Sequence, residues 1–377
     1  MWIRLILVGV LAHVVILVRS EVSYEDKHKY VPKNENCKCL PFYKCYNETF
    51  AEDGVNVVDI RSRHESCENY FDVCCEHPVK EVKREELDDA HAAVAPSWGR
   101  CGVRHPEGVA FRVTGTNGGE AQFGEFPWMT AILCSDQKVS PGVLQYLCGG
   151  SLIHPHVVLT GAHCIEAHLN KRLTIRVGEW DTQTNKEIFP HQDREVTSVV
   201  IHPHFMSNSL FNNVALLFFS PEIIKWKHIG IVCLPKVNQL PSPGTRCFSS
   251  GWGTTEFGKK GEYSAILKRV EVPVVAHYRC QSNLRRTKLG QYFKLHDSFL
   301  CAGGEEGNDT CKGDGGSPLV CPDPMHPGHY MQSGIVSWGI GCRKQDIPSV
   351  YVNVAHLRDW IDEKMLEHDY DTSHYSL

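Results

Sequence analysis

A strong excess of charge of either sign is missing from this chain. Its 377 residues carry 39 Lys and Arg against 44 Asp and Glu, a net charge of −5. That balance offers no basic surface for nucleic acid. The basic clusters Arg285-Arg286-x-Lys288 and Lys259-Lys260 are short and read as solvated loops. A second long apolar run is also missing. The one such run, Leu5 to Val18, follows a single basic residue and is about 14 residues long, short of the ~20 that span a bilayer. With small residues around Val18-Arg19-Ser20, residues 1–20 read as a removed secretion signal. No internal repeat or low-complexity tract breaks the chain, and its 42% hydrophobic and 22% charged content is that of a globular protein of two or three domains.

Cysteine, by contrast, is plentiful. Seventeen in a secreted chain imply disulfides, and the odd count leaves at least one thiol without an intramolecular partner. Two sequons, Asn47-Glu-Thr and Asn308-Asp-Thr, fit that compartment, with Asn47 the better glycan acceptor. Cys37, Cys39, Cys45, Cys67, Cys74 and Cys75 crowd into one short segment. A unit that small cannot bury a sufficient core, so three cross-links would hold it. Spacing does not choose among the 15 connectivities, and paired C-x-x-C units for zinc are absent. Val79 to Asp89 is dense in charge and Ala90 to Pro96 nearly featureless, which marks an exposed, protease-sensitive linker.

From about Arg112 onward short apolar stretches alternate with Gly, Pro and Asn: Trp128–Leu133, Val157–Leu159, Val214–Phe219, Ile335–Trp338. This is the texture of an all-β barrel or sandwich. Val354, Leu357, Ile361 and Met365 recur at helical spacing, giving one terminal helix with a single apolar stripe. Asp369 to Leu377 reads as a polar, mobile tail. His154-Pro-His156 and His202-Pro-His204 read as turns more than as metal sites.

Three motifs then align: Leu159-Thr-Gly-Ala-His-Cys164, Phe211-Asn-Asn-Val-Ala-Leu-Leu217 and Cys311-Lys-Gly-Asp-Gly-Gly-Ser-Pro318. With Glu125-Phe-Pro-Trp128, Cys148-Gly-Gly-Ser151, Gly251-Trp-Gly253, Ser337-Trp-Gly339 and Pro348-Ser-Val-Tyr351, they resemble the chymotrypsin-like serine proteases, whose catalytic residues follow in the order His, Asp, Ser. The resemblance covers roughly 113–366 and implies two six-stranded antiparallel β-barrels with a cleft between them. The six-cysteine unit, 37–75, resembles the clip domain of arthropod proteases, joined to the body by a linker with activation region, 76–112, and followed by a tail, 367–377. The family pattern implies the pairs Cys37–Cys74, Cys39–Cys67 and Cys45–Cys75 in the clip, and Cys101–Cys233, Cys148–Cys164, Cys247–Cys321, Cys280–Cys301 and Cys311–Cys342 in the body. Cys134 is left over, either a buried thiol or an intermolecular bridge, in an insertion that would expose it.

By the same resemblance His163 takes the place of the general base, but the other two catalytic positions hold Asn213 and Gly315. An amide carries no charge to stabilise an imidazolium and can hold the ring in the wrong tautomer; in the serine-protease template that change costs about 10⁴ in rate. Glycine has no atom with which to attack. Ser317 stands two residues on, about 6–7 Å along an extended chain, whereas a nucleophile must lie about 2.6–3.2 Å from its base. Other elements are kept. Gly313 and the backbone at Gly315 would form an oxyanion pocket, and Asp314 matches the aspartate that pairs with a freed N-terminus. Asp309 matches the acidic floor of a Lys/Arg pocket, but Ser349 replaces a wall glycine and would narrow the slot beside Gly339, so Asp309 reads as a remnant or a structural acceptor. The activation point resembles Arg112-Val-Thr-Gly-Thr116, with Lys83, Arg84, Arg100 and Arg104 as other sites of cleavage. The loop 178–195 matches one that binds calcium in some relatives, and Glu179, Asp181, Glu187 and Asp193 supply hard oxygen ligands; an acidic surface loop is the rival reading. No cofactor is otherwise required.

The combination resembles clip-domain serine protease homologues. It implies a secreted, extracellular (haemolymph) and non-catalytic cofactor of prophenoloxidase activation in melanisation. An upstream clip protease would process it, and it would bind prophenoloxidase, the activating protease or further copies of itself. An adhesion or pattern-recognition protein for microbial surfaces, and an active trypsin-like protease, are the rival functions.

Overall fold

The computed structural model describes residues 38–41, 56–59, 72–75, 98–114, 119–135, 143–184, 187, 189–253, 263–306, 314–340 and 345–377. Outside them lie the expected secretion signal, Cys37, Cys45, Cys67, Asn47, the expected linker with Lys83 and Arg84, Asn308, Asp309, Cys311, Gly313 and Cys342.

The amino-terminal strands are short. β1 (Lys38–Pro41) pairs antiparallel with β3 (Asp72–Cys75), setting Cys39 opposite Cys74. Cys39 is disulfide-bonded. β2 (Asn56–Asp59) runs parallel to β4 (Phe111–Thr114) with Val57 opposite Arg112, so the candidate activation strand is paired along one edge.

Two closed, six-stranded antiparallel barrels follow. The first contains β5 (Met129–Ser135), β6 (Leu144–His154), β7 (Val157–Thr160), β8 (Arg172–Val177), β9 (Gln192–Ile201) and β10 (Ala215–Phe219), in the order β10-β7-β6-β5-β8-β9. The second contains β11 (Arg246–Gly251), β12 (Lys268–Val275), β13 (Phe299–Gly303), β14 (Pro318–Pro322), β15 (Tyr330–Trp338) and β16 (Pro348–Asn353), in the order β11-β12-β13-β16-β15-β14. Closure leaves no exposed sheet edge. β5, β7 and β10 are buried at every position, which explains their unbroken apolar runs: one face fills the barrel and the other is covered by neighbouring chain. The helices are α1 (Ala162–Ile165), α2 (His277–Arg285) and α3 (Val354–Glu367). Asn353 caps α3 by accepting from the His356 N–H at 3.2 Å, and Val354, Leu357, Ile361 and Met365 are all buried. Among the described residues no helix is long and apolar enough to cross a membrane.

Disulfides Cys101–Cys233, Cys148–Cys164, Cys247–Cys321 and Cys280–Cys301 tie the body together. Two expectations are corrected. Cys134 is buried within β5, because the insertion begins only after that strand has entered the barrel. The tail is docked rather than free: Tyr375 is completely buried, its hydroxyl donates to Asp362 Oδ1 at 2.7 Å and its carbonyl accepts from Leu234 N–H at 2.9 Å. Arg358 lies 4.9 Å from the Tyr375 ring centroid and donates to Ser376 Oγ. The composition of the tail is polar, but the buried ring of Tyr375 supplies the anchor.

Candidate functional site

His163 projects from α1, which follows β7 directly and is fixed by the Cys148–Cys164 bond to β6. Asn213 enters from the segment before β10, and Gly315 from the turn before β14. These three positions, far apart in the chain, meet between the barrels. The Asn213 amide is oriented by an unambiguous donor: Oδ1 accepts the backbone N–H of His163 at 2.8 Å. Its Nδ2 then donates to Ser337 Oγ at 2.9 Å and faces His163 Nδ1 at 2.8 Å. His163 Nδ1 lies 2.8 Å from this amide nitrogen and 3.1 Å from Oδ1, so it can accept from the one or donate to the other. No carboxylate stands there to hold the ring proton on Nδ1 and keep Nε2 free, as a general base requires. Burial lowers the His163 pKa, with the Asn213 hydrogen bond opposing, so the ring is neutral at neutral pH.

The space where a nucleophile would stand is occupied. A Cβ on Gly315 would lie 2.8 Å from His163 Nε2 and 3.6 Å from Cys148 Sγ, so the imidazole leans into the position that a side chain would take. Ser317 is fully buried and points away from the cleft, with its Oγ packed against Gly149 and Gly251. The turn is otherwise well formed: Gly149 N–H donates to Gly315 O at 2.9 Å, Gly316 N–H to Val336 O at 3.0 Å and Ser317 N–H to Asp314 O at 3.0 Å. Gly316 has φ +79°, and a Cβ there would collide with Gly149 O and Thr160 Oγ1.

Asp314 turns its carboxylate away from the cleft. Oδ1 accepts from Gly253 N–H at 3.0 Å, and any side chain at Gly251 or Gly253 would strike it. Tyr146 lies on the other side. Burial raises its pKa well above the usual phenol value, with the charge of Asp314 and the nearby Tyr263 adding and a Ser317 contact opposing. Ser337 and Tyr146 were given no role in the sequence reading. Ser337 sits within a quoted motif, but only the fold aims it at Asn213; Tyr146 belongs to no motif.

The remaining candidates disperse. Ser349 is buried in β16 opposite Ala302, and Gly339 is exposed. Arg112 is exposed and pairs with Glu107 at 2.8 Å, and Arg100 is exposed. Arg104 is enclosed: its Nε donates to Glu125 at 3.0 Å and its guanidinium lies 3.8 Å from the Phe248 ring centroid. A protease cannot read a side chain held this way, so Arg104 is corrected from a cleavage point to a structural clamp. In the acidic loop, Asp193 spends both oxygens on Arg176, at 2.7 and 2.8 Å. Glu179, Asp181 and Glu187 are buried together, each accepting from backbone N–H groups: Trp180 on Glu179, Gln183 on Asp181, Asp181 on Glu187. Burial raises the pKa of both glutamates; for Glu179 the charge of Glu187 adds and Arg176 opposes, reaching about 8. These three carboxylates are neighbours in a buried patch where Arg176 also reaches Glu179 at 3.1 Å, and Asp193 does not join them. The histidine beside Cys148 and Cys164 offers no metal set, because both sulfurs are in a disulfide.

A family model described as Trypsin matches residues 116–361, and one described as Serine protease Clip domain PPAF-2 matches 26–76. Phenoloxidase-activating factor 2 of Galleria mellonella is 56% identical over 70% of this chain and 88% of its own length. Inactive CLIP domain-containing serine protease A8 of Anopheles gambiae is 38% identical over 86% of this chain and 87% of its own length. Phenoloxidase-activating factor 3 of Holotrichia diomphalia is 28% identical over 97% of this chain and 99% of its own length.

Proposed function

Because the chain belongs to the trypsin family and carries a clip domain, we propose that it is a secreted, non-catalytic protease homologue that promotes prophenoloxidase activation by binding. The observation that carries this reading is the site itself. The imidazole leans into the position of the missing nucleophile, Gly315 offers no atom to attack with, and the turn around it stays formed. A double barrel that carries loops around the cleft between its halves is a binding scaffold whether or not it performs chemistry. The names of its relatives, phenoloxidase-activating factors and inactive clip-domain proteases, support the pathway and the lack of catalysis. Its partners are prophenoloxidase, the activating protease or both, and a clip protease processes it by cutting at Arg112 or in the linker.

The test is reconstitution. Prophenoloxidase and its activating protease are incubated with and without the cleaved protein, and phenoloxidase activity is followed. The expected result is more activity with the protein present; equal activity sinks the cofactor role. A parallel pull-down on peptidoglycan and β-glucan tests the adhesion reading, which predicts capture there and none by prophenoloxidase.

A further inference from the structure

The tail brings together a side-chain cluster that the protease-like cleft does not use. After α3 the chain returns over the first barrel and sets Asp371 and His374 beside His154, at the end of β6. One ligand-type atom from each of the three lies within 4.8 Å of the other two. His154 is only 5% exposed, and the His374 ring stands edge-on to it with centroids 4.4 Å apart. Nδ1 of His374 is buried and has no hydrogen-bond partner; Asp371 Oδ2 is 3.6 Å away, beyond hydrogen-bond range. A buried polar atom left in this state is costly and rare. The surround is aromatic: Tyr370 lies 4.8 Å from the His154 ring and 5.9 Å from that of Phe218.

We propose that His154, His374 and Asp371 bind a divalent transition-metal ion, zinc by ligand type, which clamps the tail to the first barrel. Two imidazoles and one carboxylate leave a fourth position for water, a set that suits zinc better than calcium or magnesium. Zinc bonds of about 2.0–2.1 Å place tetrahedral donors roughly 3.3 Å apart, so the trio has at most about 1.5 Å to close. The Asp371 side chain is 61% exposed; its Oδ1 accepts the Ser373 N–H at 2.9 Å, and Oδ2 is the oxygen that faces His374. Nδ1 of His154 accepts the His156 N–H at 3.2 Å, which leaves Nε2 as its ligand atom. Metal binding there moves the ring proton to Nδ1 and gives up that long contact. Burial, with the neighbouring His374 and His156, lowers the His154 pKa to about 4, so no imidazolium proton opposes binding at neutral pH. The short His154-Pro-His156 motif forms a turn, as its sequence suggests; the return of the tail adds the other two ligands.

The full-length, disulfide-intact protein is stripped with a chelator and titrated with zinc chloride, and separately with cobalt chloride. Expected are saturable binding of zinc, a raised unfolding midpoint, slower amide exchange across 369–377 and the visible absorption of tetrahedral cobalt. His374→Ala and Asp371→Asn weaken zinc by about tenfold or more, and the rise in midpoint on adding zinc, taken from each variant's own midpoint in chelator, is lost. No saturable binding by the native protein overturns the proposal, and so do undiminished zinc affinity in both variants or unchanged tail exchange. The cobalt spectrum and the exchange measurement need no variant, so a misfolded substitution does not protect the idea.

Discussion

Restoring a serine at 315 is expected to leave the protein inactive unless Asn213 becomes aspartate as well. In Gly315→Ser the new Cβ would lie 2.8 Å from His163 Nε2, so the ring must withdraw by a few tenths of an ångström. Its Nδ1 faces both Asn213 Nδ2 at 2.8 Å and Oδ1 at 3.1 Å, so a neutral amide does not hold the proton on Nδ1. In the Nε2–H tautomer that the amide N–H favours, a facing hydroxyl has nowhere to send its proton. Asn213→Asp supplies a carboxylate that only accepts, which fixes Nδ1–H and frees Nε2. In the template the aspartate-to-asparagine change is worth about 10⁴ in rate, or about 5.4 kcal/mol at 1.36 per decade. The double variant should therefore turn over a Lys or Arg ester roughly 10⁴ times faster than Gly315→Ser alone. Any effect of Ser349 on the slot is common to both variants and cancels in the ratio. The assay is ester hydrolysis and labelling by an active-site serine reagent, on proteolytically processed protein. Equal rates for the single and double variants would refute the tautomer argument. Labelling of native protein at Ser317 would refute the site assignment, since that hydroxyl is sealed against Gly149 and Gly251.

Four further outcomes are expected. Tyr375→Ala removes a completely buried ring and its bond to Asp362, at a cost of about 3–5 kcal/mol and a midpoint lower by about 10 °C; a change within error would mean the tail is not anchored there. His228 is buried between Phe123 and Phe189, and burial lowers its pKa to about 4 from 6.5. The unfolded chain therefore takes up this proton first, and stability present above pH ~6.5 is lost as pH falls toward ~4, by about 3 kcal/mol; unfolding midpoints of native and His228→Gln protein should converge at acid pH. Cys134 should resist a thiol reagent until the protein is unfolded, and fast labelling of the native state would contradict its burial in β5. Millimolar calcium should raise the unfolding midpoint of the native protein but not of Glu187→Gln; equal responses remove calcium from the acidic loop.

Much of the fold was legible because its signals are local. The apolar runs of β5, β7 and β10, the stripe of α3 and the loops around His163, Asn213 and Gly315 each sit within a few consecutive residues. The absence of a nucleophile needed no coordinates, since glycine has no side chain in any fold. The direction of a side chain is not local in this sense. Ser317 and Gly315 are neighbours in the chain, and only the turn at Asp314–Ser317 sends one into the barrel and the other to the imidazole. Arg104 reads as a basic residue in a cuttable stretch until Phe248 and Glu125, distant in sequence, close over it.

The same division marks what each level decided. Composition, cysteine count and three short motifs determined the family, the presence of a clip unit and a trypsin-like barrel unit, and that Asn213 and Gly315 stand where the resemblance places an aspartate and a serine, because those depend on which atoms are present. The tertiary structure decided the contacts of the His163 ring, the burial of Cys134, the docking of Tyr375 and the meeting of His154 with His374 and Asp371. Each of these depends on distances between residues that only barrel closure and the return of the tail bring together.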